Sequence, residues 1–277
     1  MRYPAVAGSF YPGTEEGLKE ELHYLFGAGP EELVPRGVRL EGPLGLILPH
    51  AGYIYSGPVA AQGFRAAARY GVPEAVVVLG TNHTGYGGEV TVPDPEPWLT
   101  PLGEVPVAEE LLRKLEELPG VVRDRRAFMR EHSVEVQLPF LQYLFGTVPF
   151  VPMVVLTQDR ETIEEFGAGL TKIINGRGVW IIASSDFTHY EPHQVATEKD
   201  KAALKEILEL DLEGFLRVVE ERRISICGVG AIGIVIAAAR ALGLGEAELI
   251  AYRTSGEVSG YTAEVVGYAA VLFRGAG

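Results

Sequence analysis

Hydrophobic positions along the chain form two kinds of pattern. Short aliphatic runs without polar alternation predict strands buried on both faces, at residues 44–49, 74–80, 150–156 and 179–184. Apolar residues at helical spacing predict helices at residues 59–70, 108–118, 132–145, 161–174, 197–208 and 213–221. The tail segments "ELIAYRTS" and "VVGYAAVLF" add two strands. This alternation predicts a single α/β domain over residues 1–277, with a central, mostly parallel sheet flanked by helices.

The most apolar stretch of the chain, residues 229–243, invites comparison with a membrane span. Arg240 interrupts it, and it is shorter than the roughly 20 residues that a span needs, so a helix buried on all sides is the better prediction. The first residues lack a basic segment followed by an apolar core, so they do not resemble a secretory signal. We therefore expect a cytoplasmic protein that does not enter a membrane.

The net charge excludes two classes of binding partner, and the cysteine content excludes an internal disulfide. The chain carries 24 Lys and Arg against 37 Asp and Glu, a net charge of -13, which repels nucleic acid and anionic membrane surfaces. Its one cysteine, Cys227, excludes an internal disulfide. Neither nucleic acid nor a membrane is expected as a partner, and the thiol is either free or a ligand.

Polar residues that can bind a metal follow three of the predicted strands. The first strand runs into His50 in "PHAGY", the second into His83 in "TNHTG", and the fourth into Asp186 and His189 in "SSDFTH". Ligands of such sheets gather at the carboxyl ends of the strands. Two histidines and one anionic ligand, either Asp186 or the Cys227 thiolate, would leave open positions on a divalent ion. The alternative is that each histidine is a hydrogen-bonded loop residue and Asp186 an N-cap.

Two further segments carry weaker signals. "EHSVEVQLPF" places His132 and Glu135 one helical turn apart, but its single histidine excludes a metalloprotease helix, so His132 is either a base near the metal or a helix cap. "ICGVGAIG" contains G-x-G-x-x-G, for which close helix packing is a better explanation than nucleotide binding, because a poor strand precedes it. Cys227 in this segment precedes a helix, whose dipole favours a thiolate, or it is an ordinary buried side chain.

Six segments together resemble the Memo family (mediator of cell motility), whose microbial members are also called AmmeMemoRadiSam system protein B. They occur in this order: "AVAGSFYP", "PHAGYIYSG", "TNHTG", "EHSVEVQLPF", "SSDFTHY" and "ICGVGAIG". The resemblance implies a fold similar to the catalytic subunit of class III extradiol dioxygenases, in which two His and one Glu hold iron. It implies a site of His50, His83 and Cys227, whose sulfur replaces the carboxylate.

The sequence and the resemblance lead to one main functional hypothesis. A divalent metal, iron first and then copper or zinc, is held by His50, His83 and Cys227 and supports a redox or dioxygenase-like reaction on an unknown small molecule. His132, Asp186 and His189 are the predicted catalytic residues, with His132 or His189 moving protons. The alternatives are a peptide-binding or protein-binding scaffold with a vestigial pocket, and an enzyme with Cys227 as nucleophile. The microbial family name implies a radical-SAM protein as partner.

Overall fold

The computed structural model describes residues 1–275, in which helices lie on both faces of a large mixed sheet. The helices are α1 (Glu15–Phe26), α2 (Pro30–Leu33), α3 (Tyr53–Ala68), α4 (Glu109–Glu116), α5 (Leu138–Phe145), α6 (Arg160–Ile174), α7 (His193–Leu208), α8 (Leu212–Arg222), α9 (Val229–Leu242) and α10 (Gly256–Ser259). Two 3-10 turns cover Arg125–Phe128 and Glu135–Gln137. The strands are β1 (Leu44–Leu48), β2 (Ala75–Thr81), β3 (Val90–Val92), β4 (Trp98–Thr100), β5 (Gly103–Val105), β6 (Val121–Arg123), β7 (Phe150–Val155), β8 (Val179–Ser184), β9 (His189–Glu191), β10 (Glu246–Thr254) and β11 (Val265–Arg274).

The centre of the sheet is parallel. Strands β1, β8, β2 and β7 lie side by side in that order, with β8 between β1 and β2. Every residue of these four strands is buried, which explains their uninterrupted aliphatic sequences. The α/β fold class is confirmed, whereas the extent of the domain, residues 1–277, stays a prediction.

The antiparallel pairs of the sheet lie in its flanks, although the outermost pair on one side, β3 with β6, is parallel. Strand β11 pairs antiparallel with β1, β10 pairs antiparallel with β11, and β3 pairs antiparallel with β7. Both predicted tail strands are present, but the three-residue strands had no recognisable pattern because so short a run shows no periodicity. An aliphatic run indicates that a strand is buried on both faces, but it does not indicate the direction of that strand. Only the topology therefore decides that β11 is antiparallel to β1.

Two hydrophobic layers fill the space between the sheet and its helices. Ile47 of β1 belongs to the layer under α6 and α9, while its neighbours Leu46 and Leu48 belong to the layer under α1, α3 and α5. Most of α9 is buried, as its sequence predicts. Among residues 1–275, none of the helices combines the length and the hydrophobicity needed to cross a membrane.

Three predicted helix starts are wrong. The helix predicted from His132 begins only at Leu138, after a turn and a 3-10 segment, because Pro139 lacks an N–H and is suited to the first turn of a helix. Conversely, α3 begins at Tyr53 and not at residue 59, with Pro58 inside the helix. Helix α7 likewise begins earlier, at His193 and not at residue 197. The first two errors arise from proline, whose position within a helix is not fixed by periodicity.

Candidate metal centre

Strand order brings the histidines of the site together. His50 follows β1 and His83 follows β2, and the end of β8 lies between them because β8 pairs with both strands. Cys227 comes from the loop before α9. The ligand atoms of His50, His83 and Cys227 all lie within 4.8 Å of one another. Together with His132, Asp186 and His189 they line one cavity of about 490 Å³, so the structure brings all six predicted residues together, while their roles stay predictions.

Cys227 is tied to the end of β8 by paired backbone contacts. The Asp186 N–H donates to Cys227 Sγ at 3.1 Å, and the Cys227 N–H donates to the Asp186 carbonyl at 3.3 Å. At the next residue, a Cβ on Gly228 would lie 2.6 Å from Ser185 Cβ, so this close approach needs glycine. Burial alone raises the pKa of Cys227, but the His50 imidazole outweighs it and lowers the pKa to about 5. The sulfur is therefore a thiolate near neutral pH.

His50 is held by a hydroxyl network beneath the cavity. Its Nδ1 lies 3.2 Å from Ser184 Oγ, whose own hydrogen is donated to the Ser133 carbonyl at 2.6 Å. Ser184 Oγ also accepts from Gln137 Nε2 at 2.8 Å. Because its hydrogen is already used, Ser184 Oγ accepts from His50 Nδ1–H as well. His50 Nε2 therefore faces the cavity, 3.3 Å from Cys227 Sγ.

His83 is held by a carboxylate that the sequence analysis missed. Glu131, which is fully buried, accepts from His83 Nδ1 at 3.0 Å and from the backbone N–H groups of His83, His132 and Ser133 at 2.8–2.9 Å. Burial raises the pKa of Glu131, but the bond to His83 and the other donors lower it to about 2. A carboxylate behind a histidine fixes Nδ1–H and leaves Nε2 for a metal.

The two imidazoles have raised pKa values when no metal competes for their nitrogens. Burial lowers the pKa of His50, but the Cys227 thiolate and Asp186 outweigh it and raise the pKa to about 9. For His83, burial is outweighed by Cys227 and Glu131, which raise the pKa to about 10. Near neutral pH the thiolate is therefore flanked by two imidazolium groups, and a metal ion would replace the proton on each Nε2.

His132 and His189 differ from the two histidines beside the thiol. The His132 ring stacks on His83 with ring centroids 4.8 Å apart, and burial together with the charge of His50 lowers its pKa to about 4. His189 Nδ1 lies 2.8 Å from the Ser225 carbonyl, which only accepts, so Nδ1 carries the hydrogen. The remaining nitrogen, Nε2, is then a free acceptor on a residue that lines the cavity.

One interpretation of a single residue is corrected, and another is confirmed. Asp186 is not an N-cap, because strand β9 follows it, and its Oδ1 instead accepts from the His50 backbone N–H at 2.8 Å. Glu135 does not line the cavity, and it binds Arg2, Tyr11 and the backbone of the N-terminal segment. The glycines of "ICGVGAIG" serve packing: a Cβ on Gly230 would lie 2.0 Å from the Thr157 carbonyl.

A family model and the sequences of known relatives identify the same family. The family model for Memo-like proteins matches residues 2–272. A MEMO1 family protein of Pyrobaculum arsenaticum is 46% identical over 281 residues, which cover 99% of each chain. One from Nitrosopumilus maritimus is 40% identical over 279 residues, again 99% of each chain. The fold resembles an uncharacterized protein from Escherichia coli K12 with a TM-score of 0.54 at 16% identity, covering 83% of this chain and 98% of that one. The chain belongs to the Memo family.

Proposed function

We propose that this protein binds a divalent metal and uses it in a redox or dioxygenase-like reaction on a small molecule. Iron is the first choice of metal, with copper and zinc as alternatives. The observation that carries the proposal is the convergence of one ring nitrogen of His50, one ring nitrogen of His83 and Cys227 Sγ within 4.8 Å of one another. Two imidazole nitrogens and one thiolate are ligands that iron, copper and zinc accept, and three protein ligands leave positions open.

The hydrogen bonds made by the three proposed metal ligands support the same assignment. Nδ1–H of His50 donates to Ser184, and Nδ1–H of His83 donates to Glu131, so on each ring Nε2 is the nitrogen left for a metal. The Asp186 N–H stabilises the Cys227 thiolate by donating a hydrogen bond to its sulfur. Histidines that ligate metals generally donate their other N–H to a carboxylate, carbonyl or similar acceptor.

A bound ion would supply Lewis acidity or redox chemistry to a molecule in the cavity. His189 is then the proton acceptor, because Nδ1–H is fixed by Ser225 and Nε2 is free. His132 stays neutral near pH 7, since burial and the charge of His50 lower its pKa to about 4. Asp186 holds His50 through its backbone and limits the movement of that ligand.

Anaerobic reconstitution with Fe(II), followed by elemental analysis and dioxygen uptake, tests the proposal. The natural protein is expected to retain metal, whereas His50→Ala and His83→Ala lose it. His23→Ala is the matched control, because His23 is an exposed histidine of α1 that bonds Tyr143 outside the cavity. Equal metal content in all four proteins would refute the metal site. Metal retention without dioxygen uptake or another reaction would favour a binding protein.

A second candidate function is nucleophilic catalysis by Cys227. It is favoured by the 3.3 Å distance between Cys227 Sγ and His50 Nε2, the arrangement of a thiolate–imidazolium pair. Rapid alkylation of Cys227 by iodoacetamide at pH 7 in metal-free protein is expected under both functions. Full protection by added metal supports the metal centre, whereas labelling that metal leaves unchanged supports the nucleophile.

Compartment and protein partner are part of the proposal. We place the protein in the cytoplasm, because a solitary thiolate ligand remains intact in a reducing compartment. The radical-SAM partner implied by the microbial family name stays a prediction.

A further inference from the structure

One edge of the large sheet is a long strand with an open side. Strand β10 pairs with β11 on one side, and within the described chain residues 246–253 make no backbone hydrogen bond on the other. Its two faces lie against α3 and α7. Leu249 is 38% exposed, and Glu248 and Arg253 are also exposed. An open edge of this length is a template for another strand.

A bulge in β10 changes which side chains share a face. Leu249 lies opposite Val271 and Ala251 opposite Ala270, so Ile250 is the extra residue. Ala247 and Tyr252 consequently pack into the layer under α6 and α9. Leu249 shares their face, because Val271, which lies opposite it on β11, belongs to that layer. On the other face, Ile250 and Ala251 pack into the layer under α3. Glu248 and Arg253 share this face, because Leu272, which lies opposite Glu248, and Tyr268, which lies opposite Arg253, belong to the same layer.

This arrangement makes the edge complementary to itself. In a symmetric antiparallel pair, residues directly opposite each other lie on the same face of the sheet. A two-fold axis between Ile250 and Ala251 brings Glu248 opposite Arg253 and Leu249 opposite Tyr252, and the members of each pair share a face. In a regular strand these pairs would lie on opposite faces, because each is separated by an odd number of positions. The bulge removes that conflict.

Neighbouring registers fail the same criterion. An axis through Ile250 would bring Glu248 opposite Tyr252, and an axis through Ala251 would bring Leu249 opposite Arg253. Both combinations join residues from different faces of the strand. The charges of the side chains favour the register whose axis lies between Ile250 and Ala251, because it creates two symmetry-related Glu248–Arg253 ion pairs. Glu246 has its own partner in Arg274, whereas Glu248 and Arg253 have no ion-pair partner among the described residues.

We propose that β10 is the contact surface for a second copy of this chain, with the two β10 strands paired antiparallel about an axis between Ile250 and Ala251. The sheet then continues through both copies. The inference goes beyond the proposed metal chemistry and does not depend on it, because none of residues 246–254 lines the candidate metal cavity.

Charge reversal tests the register. By sedimentation equilibrium, the natural chain of 30.0 kDa is expected to be a dimer at micromolar concentration. Glu248→Arg or Arg253→Glu places like charges opposite each other twice, and each is expected to raise the dissociation constant about tenfold or more. The double reversal Glu248→Arg with Arg253→Glu restores opposite charges and the dimer. Glu41→Arg, an exposed reversal outside the edge, is the control and leaves the dimer unchanged.

A monomeric natural protein overturns the proposal. So does a dimer that the single reversals leave intact, or a double reversal that stays monomeric with an unchanged circular dichroism spectrum. Amide hydrogen exchange on the natural protein gives a test that needs no variant. Exchange in residues 247–253 is expected to slow as protein concentration rises, and exchange independent of concentration contradicts the pairing.

Discussion

His50 and His83 lie in one candidate site, but the protein holds them in different ways. His50 is 2% exposed and donates to Ser184, a neutral hydroxyl. The His83 side chain is 36% exposed and donates to Glu131, a fully buried carboxylate. A carboxylate raises the basicity of an imidazole more than a hydroxyl does, because it stabilises a positive charge on the ring. Burial fixes the first ligand in place, and charge strengthens the second.

The largest expected effect is the pH dependence of metal binding. In metal-free protein the pKa values of His50 and His83 are raised to about 9 and about 10, so both rings carry an extra proton at pH 7, while Cys227, with a pKa of about 5, does not. Metal binding then releases close to two protons, and affinity rises about a hundredfold per pH unit between pH 7 and about 8.5. Titration calorimetry in buffers of different ionisation enthalpy measures this release. A release near zero would mean that the rings are neutral without metal.

The next effect is the loss of the charge behind His83. Glu131→Gln keeps the size of the side chain but removes the anion that orients His83 and offsets the charge of a bound cation, so metal affinity is expected to drop by about 10–100-fold. Competition with a chelator measures the affinity. Glu135→Gln is the matched control, since Glu135 is equally buried but contacts the N-terminal segment. It is expected to lower thermal stability and to leave metal affinity unchanged. Equal losses in both variants would show that Glu131 acts only through folding.

The smallest effect is expected on the other histidine. Ser184→Ala removes a neutral acceptor from His50, a loss of about 1 kcal/mol, so metal affinity should fall about fivefold. Ser56→Ala is the control, because this buried hydroxyl donates to the Ala51 carbonyl and makes no hydrogen bond to a histidine among the described residues. The combined variant Glu131→Gln with Ser184→Ala should show additive losses, since the two partners act on different ligands. A larger loss from Ser184→Ala than from Glu131→Gln would reverse the comparison.

Much of the candidate site could be predicted from local sequence. The aliphatic runs that end at Leu48 and Ser184 were recognised to within one residue, because complete burial excludes polar side chains from a central strand. Glu131 was missed because its function depends on a distant residue. It lies 48 positions from His83 in the chain, and the only local signal was its place beside His132 in "EHSVE". Because Glu131 lies among arginines in a loop, its sequence context is typical of an exposed, solvated carboxylate.

By itself, the sequence determined where buried strands and helices form, that imidazoles and a thiol follow those strands or precede a helix, and which family the motifs resemble. These properties depend on residues close together in the chain, through hydrophobic periodicity and the geometry of glycine and proline. Only the tertiary structure decided that β8 separates β1 from β2, that Glu131 supports His83, and that a bulge matches β10 to itself. Each of these depends on pairing between distant segments, for which side-chain periodicity carries no information.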